Sequence, residues 1–267
     1  MNRTQLIEQI KAKRSFLCIG LDTDRSKIPS HLLEEPDPIF AFNRAIVEAT
    51  RDLCVSYKIN TAFYEAEGEM GWVAMRKTLD FIGRDHLVIA DAKRGDIGNT
   101  SEQYARAFFE TLSFDAITVA PYMGSDSVKP FLKWRDKWAV VLGLTSNEGA
   151  ADFELQPSGN ELLYERVLRT ASGWGTKDNM MFVIGATRAE AFANVRRILP
   201  DHFLLVPGVG AQGGSLTEVY QMGCNQEVGL LVNVSRAVIY ASSQADFSAK
   251  AREAARVYQQ EMAVLLG

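Results

Sequence analysis

Short apolar runs recur along the chain, with amphipathic stretches between them. The runs are Phe16–Leu21, Leu53–Tyr57, Leu87–Ala90, Ala116–Ala120, Trp138–Leu144, Met180–Ile184, Phe203–Val206 and Leu230–Val234. Each is brief, branched and continuous rather than alternating, the pattern of a strand buried on both faces in a parallel sheet. Between them, Pro38–Arg51, Glu65–Ile82, Thr100–Leu112 and Ala189–Leu199 repeat apolar positions at helical spacing. About eight strand-like runs, nearly all followed by a helix, predict an α/β chain folded as a (β/α)8 TIM barrel. A last helix over Phe247–Leu265 would seal its outside. Nothing resembling a linker splits the chain, so residues 1–267 are expected to form a single domain. One connection is unusually long. Residues 145–179 carry a polar loop and one predicted helix, Glu161–Ser172, as a closing segment would.

Composition narrows the partners. The 267 residues are 47% apolar and carry a net charge of −4 from 29 basic and 33 acidic residues, interspersed. No basic tract attracts nucleic acid. No run is long enough to cross a bilayer, and the N-terminus is too polar for a signal peptide, so a cytoplasmic protein is expected. Cys18, Cys54 and Cys224 are odd in number and widely spaced, as reduced cysteines are. His31, His86 and His202 lie before or between the runs, without metal-ligand spacing. No nucleophile motif or redox-cofactor site is recognisable.

Chemistry gathers where the runs end. In such barrels the active site is built from the C-terminal ends of the strands. Run one ends in Asp22, run two in Lys58, run three in Asp91-Ala92-Lys93 with Asp96 beyond, and run five in Thr145-Ser146-Asn147. Side chains two apart on a strand share a face, so Asp91 and Lys93 are expected to point the same way. Taken alone they read equally as a structural ion pair or as a proton-transfer device. Several runs ending in charge favour the second.

The seventh run opens into Pro207-Gly208-Val209-Gly210-Ala211-Gln212-Gly213-Gly214. This matches G-x-G-x-x-G, but a dinucleotide fold would place that pattern after its first strand. Glycine-turn amides make an anion nest, and barrels bind phosphate with the loops after strands seven and eight. Arg236, just past the eighth run, adds a forked cation. The expected phosphate grip is Gln212, the loop amides and Arg236; the bland alternative is a tight turn beside a helix-capping arginine.

With these residues in view, Asp91–Thr100 (DAKRGDIGNT) resembles the D-x-K-x-x-D signature of the orotidine 5′-phosphate decarboxylase family. Gly20–Asp22, Tyr57–Asn60, Leu144–Asn147, Pro207–Gly214 and Ser235–Ala237 fall in the family's order, and KINTAFYE resembles its longer bacterial subgroup. The resemblance implies decarboxylation of orotidine 5′-monophosphate to UMP without metal or cofactor, in a homodimer. It implies that Lys93 protonates C6 of the pyrimidine and that Asp91 lies against the departing carboxylate. Asp96 and Thr100 would cross into the partner's site, completing an array with Lys58, Asp91 and Lys93. Asp22 and Lys58 would hold ribose hydroxyls, Ser146 the pyrimidine amide edge, and Gln212 and Arg236 the 5′-phosphate. Ile97, Pro207 and Val209 would wall the base. Ser235 departs from the short forms, which carry glycine there.

This set suits the reaction. Losing CO2 from C6 leaves an electron pair with little help from the ring, and an ammonium offers charge and a proton together. Two rivals share part of the pattern. Magnesium-dependent sugar-phosphate decarboxylases and synthases of the same superfamily carry an acidic metal ligand at the end of strand two, where this chain has Lys58. The other rival is a non-catalytic phosphate-binding barrel, which would have no reason to keep every charged position.

Overall fold

The structure is a computed structural model describing residues 1–210 and 213–267, without the side chains of 187–189. Among the described residues, eight parallel strands close into a barrel. They are β1 (Leu17–Gly20), β2 (Ser56–Asn60), β3 (Leu87–Arg94), β4 (Ala116–Val119), β5 (Trp138–Leu144), β6 (Met180–Ile184), β7 (Phe203–Pro207) and β8 (Leu230–Val234). Neighbours follow chain order, and β8 lies beside β1. Helices separate the strands, as a (β/α)8 fold requires.

The chain divides into two compact units, with boundaries inside β3 and β8. The first holds residues 1, 3–92 and 233–267. Its helices are α1 (Arg3–Lys13), α2 (Pro38–Thr50), α3 (Thr61–Glu65), α4 (Gly68–Ile82), α10 (Arg236–Ile239) and α11 (Phe247–Leu265). Helix α2 begins where Asp37 accepts a hydrogen bond from the Phe40 amide, with Pro38 preset for the first turn. It buries Ile39, Phe42, Ile46 and Val47, and Phe42 stacks on Phe247 of α11 with ring centroids 5.2 Å apart.

The second unit holds residues 2 and 93–232. Its helices are α5 (Gly98–Arg106), α6 (Lys129–Leu132), α7 (Leu163–Ser172), α8 (Phe192–Ile198) and α9 (Leu216–Gly223). Here Trp138 and Phe203 meet edge to face at 6.3 Å, both fully buried.

The differences from the sequence expectations have physical reasons. Helix α1 is unexpected because its composition is polar; only Arg3, Leu6 and Ile10 are buried. The helix predicted from Glu65 begins at Gly68, φ +61°, and a separate short helix, α3, ends at Glu65 before it. Gly71 lets the two pack, since a Cβ there would stand 1.8 Å from the Tyr64 carbonyl oxygen. The 100–112 helix ends in a wide turn over Ala107–Thr111, and the helix expected from Ala189 begins at Phe192. Residues 145–179 contain a small antiparallel hairpin, Pro157–Ser158 with Glu161–Leu162, ahead of α7. No helix among the described residues is long and apolar enough to cross a membrane.

Candidate active site

In the first unit, register brings three charges together. Gly20 of β1 pairs with Lys58 of β2, and Asn60 of β2 with Asp91 of β3. Lys58 Nζ lies 2.8 Å from Asp91 Oδ2 and 3.4 Å from Asp22 Oδ1. The lysine is only 5% exposed. Burial pulls its pKa down, but Asp91 and then Asp22 outweigh that and hold it above the ordinary lysine value. Lys58 is therefore a buried, permanently charged ammonium between two carboxylates.

The Asp22 loop is fixed by groups the sequence did not point to. The Tyr64 hydroxyl donates to the Leu21 carbonyl at 3.1 Å and accepts from Asn43 Nδ2 at 2.9 Å. The Thr23 hydroxyl donates to Asn43 Oδ1 at 2.6 Å. From the other side, the Tyr240 hydroxyl donates to the Asp22 carbonyl at 3.0 Å and accepts the Asp24 amide at 2.7 Å. Burial pushes the Tyr240 phenol up to about 12, so it keeps its proton. Ser235 donates to the Gly20 carbonyl at 3.0 Å, which gives this serine a structural task. Arg236 opens α10 and is exposed. No sequence signal marks Asn43 or Tyr240, and Tyr64 is marked only as part of the KINTAFYE run; their polar atoms are recruited once helices and loop are folded.

In the second unit β3 runs on through Lys93 and Arg94, beyond the apolar run that announced it. Lys93 has φ +46°, in the left-handed region that costs a side-chain-bearing residue energy. Its amide donates to the Thr118 hydroxyl of β4 at 2.9 Å. Lys93 is exposed, and the Asp91 carboxylate, 11% exposed, pairs with Lys58. Arg94 lies over the rings of Tyr104 and Phe108, at 5.3 and 5.5 Å. Asp96 is half-buried and accepts the Ile97 amide at 2.8 Å. Thr100 in α5 and Ile97 before it are exposed.

Ser146 follows β5 with its backbone against Gly185; a Cβ on that glycine would stand 2.8 Å from Ser146 N. Pro207 ends β7, and Val209 is buried. The glycine turn spends amides on itself. Gly210 donates to Gly214, Gly213 to Gly210 and Gly214 to Gly208, which removes three donors from the expected anion nest. Gln212 lies outside the described residues. Among the described residues, no group of three or more His, Cys, Asp or Glu side chains is placed to hold a metal ion.

Comparison with known proteins agrees along the whole chain. A family described as orotidine 5′-phosphate decarboxylase / HUMPS matches residues 15–252. A Flavobacterium johnsoniae protein named orotidine 5′-phosphate decarboxylase is 58% identical over 269 residues, covering 100% of this chain and 98% of its own. A Bacteroides fragilis protein of the same name is 56% identical over 267 residues, covering 98% and 97%. The structure of Leishmania donovani OMP decarboxylase superposes with a TM-score of 0.85 at 36% identity, over 99% of each chain.

Proposed function

The chain belongs to the orotidine 5′-phosphate decarboxylase / HUMPS family, and on that premise we infer that it converts orotidine 5′-monophosphate to UMP and CO2 in pyrimidine biosynthesis. One observation carries this reading beyond family likeness: the buried Lys58 ammonium held between Asp22 and Asp91 at the ends of three adjacent strands. A divalent cation seated among these groups would meet a fixed positive charge. That disfavours the magnesium-dependent branch of the family.

The chemistry follows. Asp91, paired with Lys58, lies against the substrate carboxylate, and the C6–carboxylate bond breaks to release CO2. The electron pair left on C6 takes a proton from the Lys93 ammonium, and solvent returns one to the amine. Lys58 and Asp22 hold ribose hydroxyls, and Ser146 the pyrimidine amide edge. Gln212 and Arg236 grip the 5′-phosphate, far from the bond that breaks; binding energy of this kind is expressed in the transition state. Ile97, Pro207 and Val209 line the base. The protein acts as a cytoplasmic homodimer of single-domain chains, with Asp96 and Thr100 serving the partner's site. The exposure of Thr100 and Ile97 supports that reading.

The direct test mixes the protein with orotidine 5′-monophosphate and follows the pyrimidine absorbance, with and without EDTA. Conversion to UMP that EDTA leaves unchanged is expected. No conversion sinks the reading, and conversion abolished by EDTA moves the chain to the metal-dependent branch. Arg236→Ala is expected to lower kcat/KM by about 100-fold through loss of the charged phosphate contact. Unchanged kcat/KM would remove that assignment.

A further inference from the structure

The long segment after β5 is expected from sequence to be a closing loop. Its contacts reach back to the end of β5. Glu154, in the middle of that segment, reaches back to the residue before Ser146. Its Oε2 accepts the Thr145 amide at 2.7 Å, and its Oε1 accepts the Thr145 hydroxyl at 2.8 Å. One carboxylate thus takes both donors of a single residue. The Thr145 hydroxyl also lies 2.6 Å from the Asn147 side-chain oxygen position. A hydroxyl has one proton, and a carboxylate is the stronger acceptor, so the Asn147 amide is turned to donate to the hydroxyl oxygen.

Glu154 is itself well anchored. Its carbonyl accepts the Tyr164 amide at 2.9 Å, next to the Gln156 carbonyl accepting that of Leu163. Tyr164 is buried in α7. The hairpin and α7 therefore hold Glu154, and Glu154 holds Thr145. On the far side Ser146 rests on Gly185, whose amide donates to the Leu144 carbonyl at 2.8 Å. Ser146 sits in a two-sided backbone clamp.

We propose that Glu154 is a positioning residue for substrate recognition: it sets the place of Ser146, and residues 145–179 exist to present that serine. The proposal rests on the reading of Ser146 as the contact to the pyrimidine amide edge. Glu154 touches no substrate; it acts only through the backbone it fixes. Discrimination for a pyrimidine carrying an amide edge thus depends on a carboxylate eight positions along the chain from the serine that reads it.

A double-variant cycle in the full-length protein tests this. Ser146→Ala and Glu154→Ala are each expected to lower kcat/KM for orotidine 5′-monophosphate by about 10- to 100-fold, the cost of a misplaced contact. The double variant is expected to be no worse than Ser146→Ala alone, because Glu154 has nothing left to position. Penalties that multiply in full overturn the proposal, as does a Glu154→Ala variant with normal kcat/KM. Glu154→Gln offers an amide oxygen to the Thr145 amide and an NH2 to its hydroxyl, so it is expected to recover most of the loss; a Gln variant as poor as Ala overturns the clamp. Should Glu154→Ala fail to fold by thermal unfolding, Glu154→Asp, one methylene short of Thr145, replaces it in the cycle. An unaffected Ser146→Ala removes the base contact and this proposal together, while the decarboxylase reading still stands or falls on conversion of substrate.

Discussion

At the scale of single residues, Lys93 and Lys58 are two kinds of ammonium. Lys58 is buried, ion-paired and locked in charge; Lys93 is exposed and mounted on a strained backbone. In the proposed mechanism it is Lys93 that gives C6 its proton. Lys93→Ala is therefore expected to cut turnover by at least about 1,000-fold while product binding persists, read by titration with UMP. Substantial turnover would end its role as donor. The strain makes a second outcome measurable. Lys93→Gly removes the left-handed penalty, so it is expected to raise stability in urea by about 1 kcal/mol while destroying activity. An opposite titration governs His86. It is 3% exposed, and its Nε2 lies 2.9 Å from Lys13 Nζ and 2.7 Å from the Arg51 carbonyl oxygen. Burial first, and then the Lys13 charge, lower its pKa from 6.5 to about 4. Below pH 6.5 the unfolded chain takes up a proton that the folded chain refuses until about pH 4. Its contribution is thus complete above pH 6.5 and lost as pH falls toward 4. Between pH 7 and pH 5 it amounts to about 2 kcal/mol. His86→Gln is expected to shrink the pH 7-to-5 drop in unfolding free energy by that amount; an equal drop in both proteins would refute the assignment.

At the scale of elements, the α3–α4 corner is the most demanding join. Gly71 lies where any side chain would strike the Tyr64 carbonyl, and Tyr64 in turn holds the loop that carries Asp22. Gly71→Ala is expected to cost about 3 kcal/mol or more in overpacking, and to raise KM as the Asp22 loop shifts. Thermal unfolding and steady-state kinetics would show both. The same corner marks what a sequence can and cannot announce. Helix α11 is legible to its end residues because its apolar face repeats without interruption. The barrel strands are legible because both faces are buried. Their functional ends are less so: β2 starts three residues later than its apolar run, and β3 continues four residues past its run, since a site-facing strand end is polar. Asp22, Lys58 and Asp91 stand out as charges after apolar runs, and they do converge. Asn43, Tyr240 and Glu154 resemble ordinary helix or loop residues until tertiary contacts give them partners. The left-handed turn at Lys93 is likewise invisible, because lysine has no preference for it.

At the scale of the whole molecule, the proposed dimer makes a distinctive prediction. If Asp96 serves the partner's site, Lys93→Ala and Asp96→Ala chains fail separately but can complement each other. In an exchanged equal mixture, half the dimers are hybrids, each with one site carrying both native residues. About a quarter of full activity is then expected. No recovery after verified subunit exchange would place Asp96 in its own chain's site.

The first compact unit is assembled from residues 1, 3–92 and 233–267, from both ends of the described chain. A ribosome delivers these ends at different times. When the array residues Asp22, Lys58 and Asp91 have emerged, Ser235 and Tyr240, which hold Gly20 and the Asp22 loop, have not yet been made. Folding during synthesis proceeds from the N-terminal side, so the Asp22 loop stays unlocked until translation has passed residue 240. A stalled or prematurely ended product lacks that lock whatever else it has folded. Its incomplete unit also leaves the α2 surface that Phe247 covers open, a ready mark for quality control.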